Sequence, residues 1–187
     1  MPSTSPYEKA RRVAPELLQG ASDRVIKIRR ISKVTAGGKT MRFNALVALG
    51  DGRGRIGIGL GKATAVPDAV RKGVAIARRN VIEIPISGTT IPHLSQKKFQ
   101  SSQILLKPAP PGTGVVAGAT VRAIMELAGI RDVLTKAMGN RNPINLAKAT
   151  LDALASMSFR EADSPASSAS SVDEETELGS MTRARRQ

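Results

Sequence analysis

The sequence predicts an α+β fold, organised as one large domain or two small ones across 187 residues. Between residues 24 and 61, apolar residues recur at period two in runs separated by glycine-rich turns, which is the pattern of antiparallel strands. From Pro67 onward, the apolar spacing changes to that of an amphipathic helix. Strand-like and helix-like runs then recur beyond residue 81.

The first three strands are predicted to form a meander. Residues 24–34 alternate β-branched residues with cations imperfectly, which predicts a strand with a bulge or a change of face. Gly37 and Gly38 predict a turn into a returning strand, and the DGRG sequence at 51–54 predicts the next turn. In the third strand, Ile or Leu on one face alternates with Gly on the other. The predicted apolar face of the second strand consists of Met41, Phe43, Ala45, Val47 and Leu49.

A helix is predicted to begin near Pro67, where Asp68 lies favourably close to the positive end of the helix dipole. Its predicted buried stripe is Val70, Gly73, Val74, Ala77 and Val81. Another side of this helix carries Arg71, Lys72, Arg78 and Arg79. Because the preceding strands are also cationic, this stripe is interpreted as a phosphate contact in preference to a merely solvated face.

The second half alternates strands and helices around a proline-rich break. Residues 81–86 and 103–107 are strand-like, and three prolines at 108–111 interrupt the chain. A helix is predicted over residues 117–128 with its stop at Gly129, and another begins where Asn142 can cap and Pro143 can occupy the first turn. Residues 130–138 fit either a short strand or a helix.

Composition excludes several classes of site. The chain has no Cys and a single His, His93, so thiolate and multi-histidine metal centres are excluded and no cofactor is expected. The apolar runs are far shorter than the roughly 20 residues of a membrane-spanning helix. The carboxylates are scattered over turns and helices without a shared catalytic spacing, and His93 has no orienting neighbour in the sequence.

The net charge of +14 is concentrated in one part of the chain. Residues 24–107 contain 17 Lys or Arg residues and three Asp or Glu residues. Such a density of positive charge is most readily tolerated when phosphates neutralise it, which predicts a nucleic-acid partner. With only three Phe and one Tyr, the chain lacks the rings of a base-stacking platform. We therefore expect recognition of folded RNA through its backbone and shape.

Two glycine clusters resemble nucleotide-binding motifs. In GIGLGKAT, residues 57–64, the phosphate-loop pattern fails because Ile56 and Ala63 stand at required Gly and Ser or Thr positions. In GTGVVA, residues 112–117, the loose dinucleotide pattern is satisfied, and Asp132 follows at about the spacing of a ribose acceptor. The prolines before it disagree with the strand that this motif requires. Glycines that permit close approach at a helix start are the favoured interpretation.

Three ordered runs carry a family resemblance: residues 30–80, residues 108–130 (PAPPGTGVVAGATVRAIMELAGI) and residues 139–154 (GNRNPINLAKATLDAL). Together they resemble the bacterial-type family of small ribosomal subunit protein five, over roughly residues 23–157. The resemblance implies two α/β domains. Residues 23–88 would resemble a double-stranded-RNA-binding domain with a three-stranded antiparallel sheet and one helix. Residues 89–158 would form a sheet with two helices on one side, which favours the strand for 130–138.

The flanking segments are predicted separately. Residues 1–22 are interpreted as an N-terminal arm. Residues 159–187 are rich in Ser, Ala and acidic residues and are predicted to be a disordered tail, because they cannot bury enough apolar surface.

The resemblance implies a structural, non-enzymatic protein of the small ribosomal subunit. Such a protein binds small-subunit ribosomal RNA, stabilises the head relative to the body and lies near the path by which messenger RNA enters. It contacts neighbouring proteins four and eight, and with protein four it contributes to decoding accuracy. No membrane association and no homo-oligomer are expected. The expected location is the cytoplasmic ribosome, with an organellar ribosome as the alternative.

The resemblance also implies candidate site residues. The expected RNA-binding residues are Arg24, Lys27, Arg29, Arg30, Ser32, Lys33, Gly37, Gly38, Lys39, Arg42, Arg53, Arg55 and Lys62. Gly112, Gly114 and Arg122 are expected at a protein interface, the last two near protein four. Two alternative functions stay open on the residues alone: a free-standing double-stranded-RNA-binding protein and a dinucleotide-dependent enzyme that uses residues 112–117.

Overall fold

The computed structural model describes residues 20–158, which form two four-stranded sheets and three helices. The strands are β1 (Ser22–Thr35), β2 (Gly38–Gly50), β3 (Arg55–Ala63), β4 (Val81–Glu83), β5 (Ser95–Phe99), β6 (Ser102–Pro108), β7 (Val115–Val116) and β8 (Val133–Gly139). The helices are α1 (Val66–Arg79), α2 (Ala119–Ala128) and α3 (Pro143–Ala155). The predicted fold class is confirmed. The tail predicted for 159–187 and all but the end of the predicted arm lie outside the described residues.

The first sheet is antiparallel throughout, in the order β1-β2-β3-β4. The predicted meander is confirmed, with β4 as a short additional strand. The predicted bulge in β1 is also confirmed, because the register with β2 shifts between Val25 and Lys27. Strand β3 pairs with β2 only from Phe43 onward. Residues 31–42 therefore project beyond the third strand as a two-stranded ribbon, hereafter the ribbon.

Glycines in β3 let α1 pack unusually close to the sheet. A Cβ atom added at Gly59 would lie 2.0 Å from the carbonyl oxygen of Gly73, and one added at Gly61 would lie 1.9 Å from that of Ala69. Of the predicted stripe, Gly73, Ala77 and Val81 are buried, whereas Val70 and Val74 are half-buried at its margin. Ala69, which the spacing did not single out, is buried in full. Close approach of the two backbones at these glycines thus accompanies the packing of small side chains, such as Ala69 against Val47, along this interface.

The opposite face of the first sheet is buried against the second half of the chain. Leu46 and Ile56 belong to the same hydrophobic cluster as Leu106, Ile124 and Leu154. Both faces of β2 are consequently buried from Ala45 to Gly50, whereas the alternation in the sequence predicted one buried face. The unbroken apolar run at residues 45–49 is typical of a strand buried on both faces, and the alternation alone did not use it. What the run does not reveal is which distant part of the chain covers the second face.

The DGRG turn after β2 caps the end of α2. The N–H of Gly52 donates to the carbonyl oxygen of Leu127, and that of Gly54 donates to the oxygen of Ala128, both at 2.9 Å. These carbonyls belong to the last turn of a helix, where no intrahelical donor is available. The turn therefore connects the first sheet to α2 through the backbone.

The second sheet has the order β5-β6-β8-β7, with β7 parallel to β8. Residues 133–139 form strand β8, so the helical alternative for 130–138 is wrong. Helix α2 ends as predicted at Gly129, whose φ is +90°. Asn142 occupies the N-cap position of α3 and Pro143 its first turn, but the Asn142 side chain makes no capping hydrogen bond. Helices α2 and α3 contact each other, and α3 packs on β5 and β6.

Candidate nucleic-acid interface

The ribbon is exposed and cationic. Every residue from 32 to 42 is solvent-exposed. Cross-strand partners project from the same face of a sheet, and the pairs Arg29–Asn44 and Asn44–Lys62 place three polar side chains in one row across β1, β2 and β3. Lys33 and Arg42 project from this same face, closer to the tip of the ribbon. Arg30 and Lys39 project from the opposite face. The predicted RNA-binding cations of the ribbon therefore divide between two faces.

Two open grooves lie at the base of the ribbon. The first, the ribbon groove, has a volume of about 490 Å³ and is lined by Ile31, Ser32, Lys33, Thr35, Thr40, Arg42 and Lys62. The second, the helix groove, has a volume of about 540 Å³ and is lined by Arg42, Lys62, Ala63, Thr64, Asp68, Arg71 and Lys72. The predicted basic stripe of α1 is thus split, since Arg71 and Lys72 line a groove at the ribbon and Arg78 and Arg79 line neither.

Most cations of the ribbon region have no carboxylate partner. Among residues 20–158, the ion pairs involve only Arg24, Arg55 and Arg71 as cations. Lys27, Arg29, Arg30, Lys33, Lys39, Arg42 and Lys62 pair with none of the carboxylates in that range. Much of the positive charge around the ribbon therefore has no internal partner and is left for an external anion to neutralise.

Three predicted RNA-binding residues lie at the other end of the first sheet. Strand β2 runs from Gly38 to Gly50, which corresponds to roughly 40 Å at about 3.3 Å per residue. Arg53 follows this far end, and Arg24 pairs with Ala48 near it. Arg24 forms an ion pair with Glu126, and Arg55 lies in the same part of the molecule. These residues cannot belong to one patch with the tip of the ribbon.

Arg55 lies among carboxylates at this far end. Its Nη1 is 3.7 Å from Asp51 Oδ2, and its Nε is 3.9 Å from Glu83 Oε1. Asp51 Oδ1 also accepts the N–H of Arg53 at 2.8 Å, which fixes the turn. The geometry assigns this group of charges to holding the turn in place.

The tip of the ribbon is a tight turn. Gly38 has a φ of +136°, a conformation that L side chains rarely adopt, and Gly37 has no such restriction. The hydroxyl of Thr35 donates to the carbonyl oxygen of Gly38 at 3.2 Å. The two predicted glycines thus reverse the chain and present its backbone to solvent.

Two of the predicted protein-interface residues, Gly112 and Gly114, lie in a loop that the buried carboxylate of Asp132 holds in place through a hydrogen bond. Gly112 and Gly114 have φ values of +90° and +78°, and a Cβ atom at either would meet nothing within 4 Å, so conformation alone requires glycine. Asp132 is 4% exposed, and its Oδ1 accepts the N–H of Gly114 at 2.9 Å. Hydrogen bonds from the Gly114 N–H and the Thr89 side chain lower the pKa of Asp132. Arg122 is exposed on α2.

This geometry explains the resemblance to a dinucleotide motif. The carboxylate at the spacing of a ribose acceptor binds the N–H of its own glycine loop. Strand β7, which begins at the end of that loop, pairs in parallel with β8 and consists of only two residues. The motif is therefore a structural loop. Sequence reasoning missed this role of Asp132, although its spacing from the loop was the available signal.

Two other kinds of site are absent from the described part of the chain. Residues 20–158 include no group of three or more His, Asp or Glu side chains that could hold a metal ion. Within the same range, none of the helices has the length and apolar character needed to span a membrane.

Comparison with known families gives two matches, which together cover most of the chain. The model described as "Ribosomal protein S5, N-terminal domain" matches residues 21–85, and "Ribosomal protein S5, C-terminal domain" matches residues 97–165. Similar proteins named small ribosomal subunit protein uS5 include that of Rubrobacter xylanophilus, 52% identical over 155 residues, covering 81% of this chain and 78% of the relative. That of Chloroflexus aurantiacus is 48% identical over 149 residues, covering 80% and 83%. That of Thermus thermophilus is 55% identical over 132 residues, covering 71% and 82%.

Proposed function

Since this chain belongs to the ribosomal protein S5 family, whose members are structural rather than enzymatic components of the small ribosomal subunit, we propose that it binds small-subunit ribosomal RNA through phosphates and shape. The observation that supports this mode is the set of cations on and beside the ribbon that no carboxylate in residues 20–158 neutralises. Such cations release counterions from RNA on binding, which supplies most of the affinity.

The positions of the aromatic rings support backbone recognition over base stacking. Phe43 and Phe99 are the only Phe, Tyr or Trp residues between 20 and 158. Phe43 packs beside Ala45 and Val47 under α1, and Phe99 packs against the main core with Lys148 Nζ 5.1 Å from its ring centroid. Neither ring is in the grooves, where bases would need to stack.

Salt dependence of RNA binding tests this proposal. We expect the double substitution Arg29→Ala and Arg30→Ala to lower the slope of log affinity against log salt by about one per lost contact, with ribosomal RNA as the probe. The matched control is Arg131→Ala with Arg141→Ala, which removes two exposed arginines from the second half of the chain. An equal loss of slope in both variants would mean that net charge, and not the surface at the base of the ribbon, governs binding.

We further infer a role in the architecture of the subunit. The protein stabilises the head relative to the body, lies near the path of incoming messenger RNA, and contacts neighbouring proteins four and eight. The two sheets lie in the proposed domains, residues 23–88 and 89–158, and they share one hydrophobic cluster. A shared core of this kind suits a protein that must hold two binding surfaces in a fixed relative position. The bacterial sources of the relatives favour the cytoplasmic ribosome. Co-sedimentation with small subunits at moderate salt separates this proposal from a free-standing double-stranded-RNA-binding protein.

The proposed contact with protein four and the contribution to decoding accuracy rest on the loop at 110–114 and on Arg122. The planar guanidinium of Arg122 can form a two-pronged contact with a carboxylate across a protein boundary. We expect Arg122→Ala to weaken retention of protein four in reconstituted subunits and to change misreading, with ribosomal RNA binding unchanged. Unchanged retention and misreading would remove Arg122 from that interface.

A further inference from the structure

We propose that the ribbon groove and the helix groove form one channel that holds the sugar–phosphate backbone of a single RNA strand. The channel would run along the ribbon, turn at Arg42 and Lys62, and continue past the end of β3 to α1. This inference rests on the proposed RNA-binding function and adds to it a defined path and the residues Arg71 and Lys72.

The continuity of the two grooves follows from shared residues. Arg42 and Lys62 line both. Lys62 pairs with Asn44, which is two residues from Arg42 along β2, so both cations project from one face as diagonal neighbours. Such neighbours lie roughly 7–8 Å apart, within reach of two phosphates on one strand. From Lys62 the chain passes through Thr64 directly into the first turn of α1.

The lining residues favour a sugar–phosphate ligand. Five cations line the combined channel: Lys33, Arg42, Lys62, Arg71 and Lys72. Hydroxyl groups of Ser32, Thr35, Thr40 and Thr64 lie among them, and they can exchange hydrogen bonds with phosphates and with a ribose 2′-hydroxyl. The lining includes no aromatic ring. The channel therefore offers contacts to the backbone of RNA and no platform for its bases.

One carboxylate in the lining would repel a phosphate of the RNA strand. Asp68 is the only acidic residue in the lining of either groove, and its Oδ1 lies 3.7 Å from Arg71 Nη1. The Arg71 and Asp68 side chains are 82% and 52% exposed, so this ion pair is weak and solvent-screened. A phosphate that enters the helix groove would compete with Asp68 for Arg71 and would be repelled by the same carboxylate. Asp68 thus limits the affinity of this end of the channel.

A matched pair of variants on one helix tests the path. Arg71→Gln with Lys72→Gln removes two cations from the channel. Arg78→Gln with Arg79→Gln removes the same charge about 10 Å further along α1, outside both grooves. Using a 20-nucleotide oligouridine as the probe, we expect the first variant to lower the salt slope by about 1.4, at about 0.7 per single-strand contact, and the second to leave it nearly unchanged. Equal losses in the two variants would overturn the proposal.

Two further measurements sharpen this test. We expect Asp68→Asn to tighten oligouridine binding, whereas unchanged or weaker binding by the folded variant would contradict the role of Asp68. The matching DNA oligonucleotide is expected to bind more weakly, because it lacks the 2′-hydroxyl, and equal binding of the two would overturn the assignment to RNA.

Crosslinking in the assembled subunit identifies which RNA supplies the bound strand. A photoreactive residue at position 72 is expected to crosslink to ribosomal or messenger RNA, and each result identifies the source. Crosslinks to protein alone would overturn the channel. The proposed function is tested separately by the Arg29 and Arg30 variant. Loss of slope in that variant, with none in the Arg71 and Lys72 variant, rejects the channel and keeps RNA binding on the strands at the base of the ribbon.

Discussion

The carboxylate of Asp132 accepts the backbone N–H of Gly114 at 2.9 Å and thereby connects the residue before strand β8 to the end of the glycine loop at 110–114. The same segment is held from the other side, because the N–H groups of Arg131 and Asp132 donate to the carbonyl oxygen of Thr89 at 2.9 and 3.1 Å. One buried residue thus joins the connection between the sheets, the loop at 110–114 and the beginning of β8. The loop is therefore a fixed structure despite its exposed glycines.

Stability should depend on the charge of Asp132. Because hydrogen bonds hold its folded-state pKa below the usual 3.8, its ionised form stabilises the fold above about pH 4, and this contribution is lost as the pH falls through the lower folded-state value. We expect Asp132→Asn to lower the free energy of unfolding at pH 7. We also expect this free energy to fall less steeply with decreasing pH in the variant than in the natural protein. Urea unfolding between pH 7 and pH 3 measures both effects. Asp23→Asn, at an exposed position, is the control and should keep the decline of the natural protein.

Gly59→Ala should destabilise the first sheet strongly. The new Cβ atom would lie 2.0 Å from the Gly73 carbonyl oxygen, so α1 must move away from β3. Overpacking of this kind costs about 1–3 kcal/mol or more. The control is Gly37→Ala, where a Cβ atom meets nothing within 4 Å. Denaturant midpoints that are equal for the two variants would contradict the proposed close contact.

Arg24→Ala should have little effect on stability and none on the salt slope of RNA binding. Its ion pair with Glu126 joins side chains that are 52% and 39% exposed, and exposed pairs contribute about 0–1 kcal/mol. Arg24 also lies far from the ribbon, opposite Ala48 near the other end of β2. Thermal melts and salt titrations of binding check the two expectations. A drop in slope similar to that of the Arg29 and Arg30 variant would place Arg24 on the RNA surface after all.

Substitutions in either sheet should lower one common unfolding transition. Leu46 of β2 and Leu106 of β6 are 3% and 0% exposed and belong to one hydrophobic cluster. Leu46→Ala and Leu106→Ala should each cost about 2–5 kcal/mol. We expect circular dichroism and hydrogen exchange to report the same midpoint in each variant. Two separated transitions would show that the sheets unfold independently.

Much of the fold could be predicted from local signals. The meander followed from period-two runs and glycine turns, and α1 followed from Pro67 and the apolar spacing after it. Residues 130–138 fitted two periods because the run is short, and pairing with β6 and β7 decided between them. Burial of both faces of β2 was signalled by the continuous apolar run at residues 45–49, but the identity of its second cover could not be predicted, since that cover is distant in the sequence.

The residue types of the candidate site could be predicted from the sequence, but their arrangement in space could be predicted only in part. The density of cations predicted a nucleic-acid partner, whereas the family resemblance pointed to the hairpin around Gly37 and Gly38. The resemblance also grouped Arg53 and Arg55 with residues from which the length of β2 separates them, because a list of matching positions carries no distances. The split of the α1 stripe likewise depends on where the helix begins relative to β3. The hydrogen bond from Asp132 to the loop could not be predicted, because it is a tertiary contact between residues 18 positions apart.

The ribbon also determines how the isolated protein differs from the bound one. Beyond Phe43 it has no third strand, and a two-stranded hairpin is marginally stable by itself in water. Within residues 20–158 of the unbound chain, we expect this segment to be the first target of a protease such as trypsin, which cleaves after its lysines and arginines. Once RNA covers those side chains, the same peptide bonds become protected, so digestion of the ribbon reports assembly without any label on the RNA.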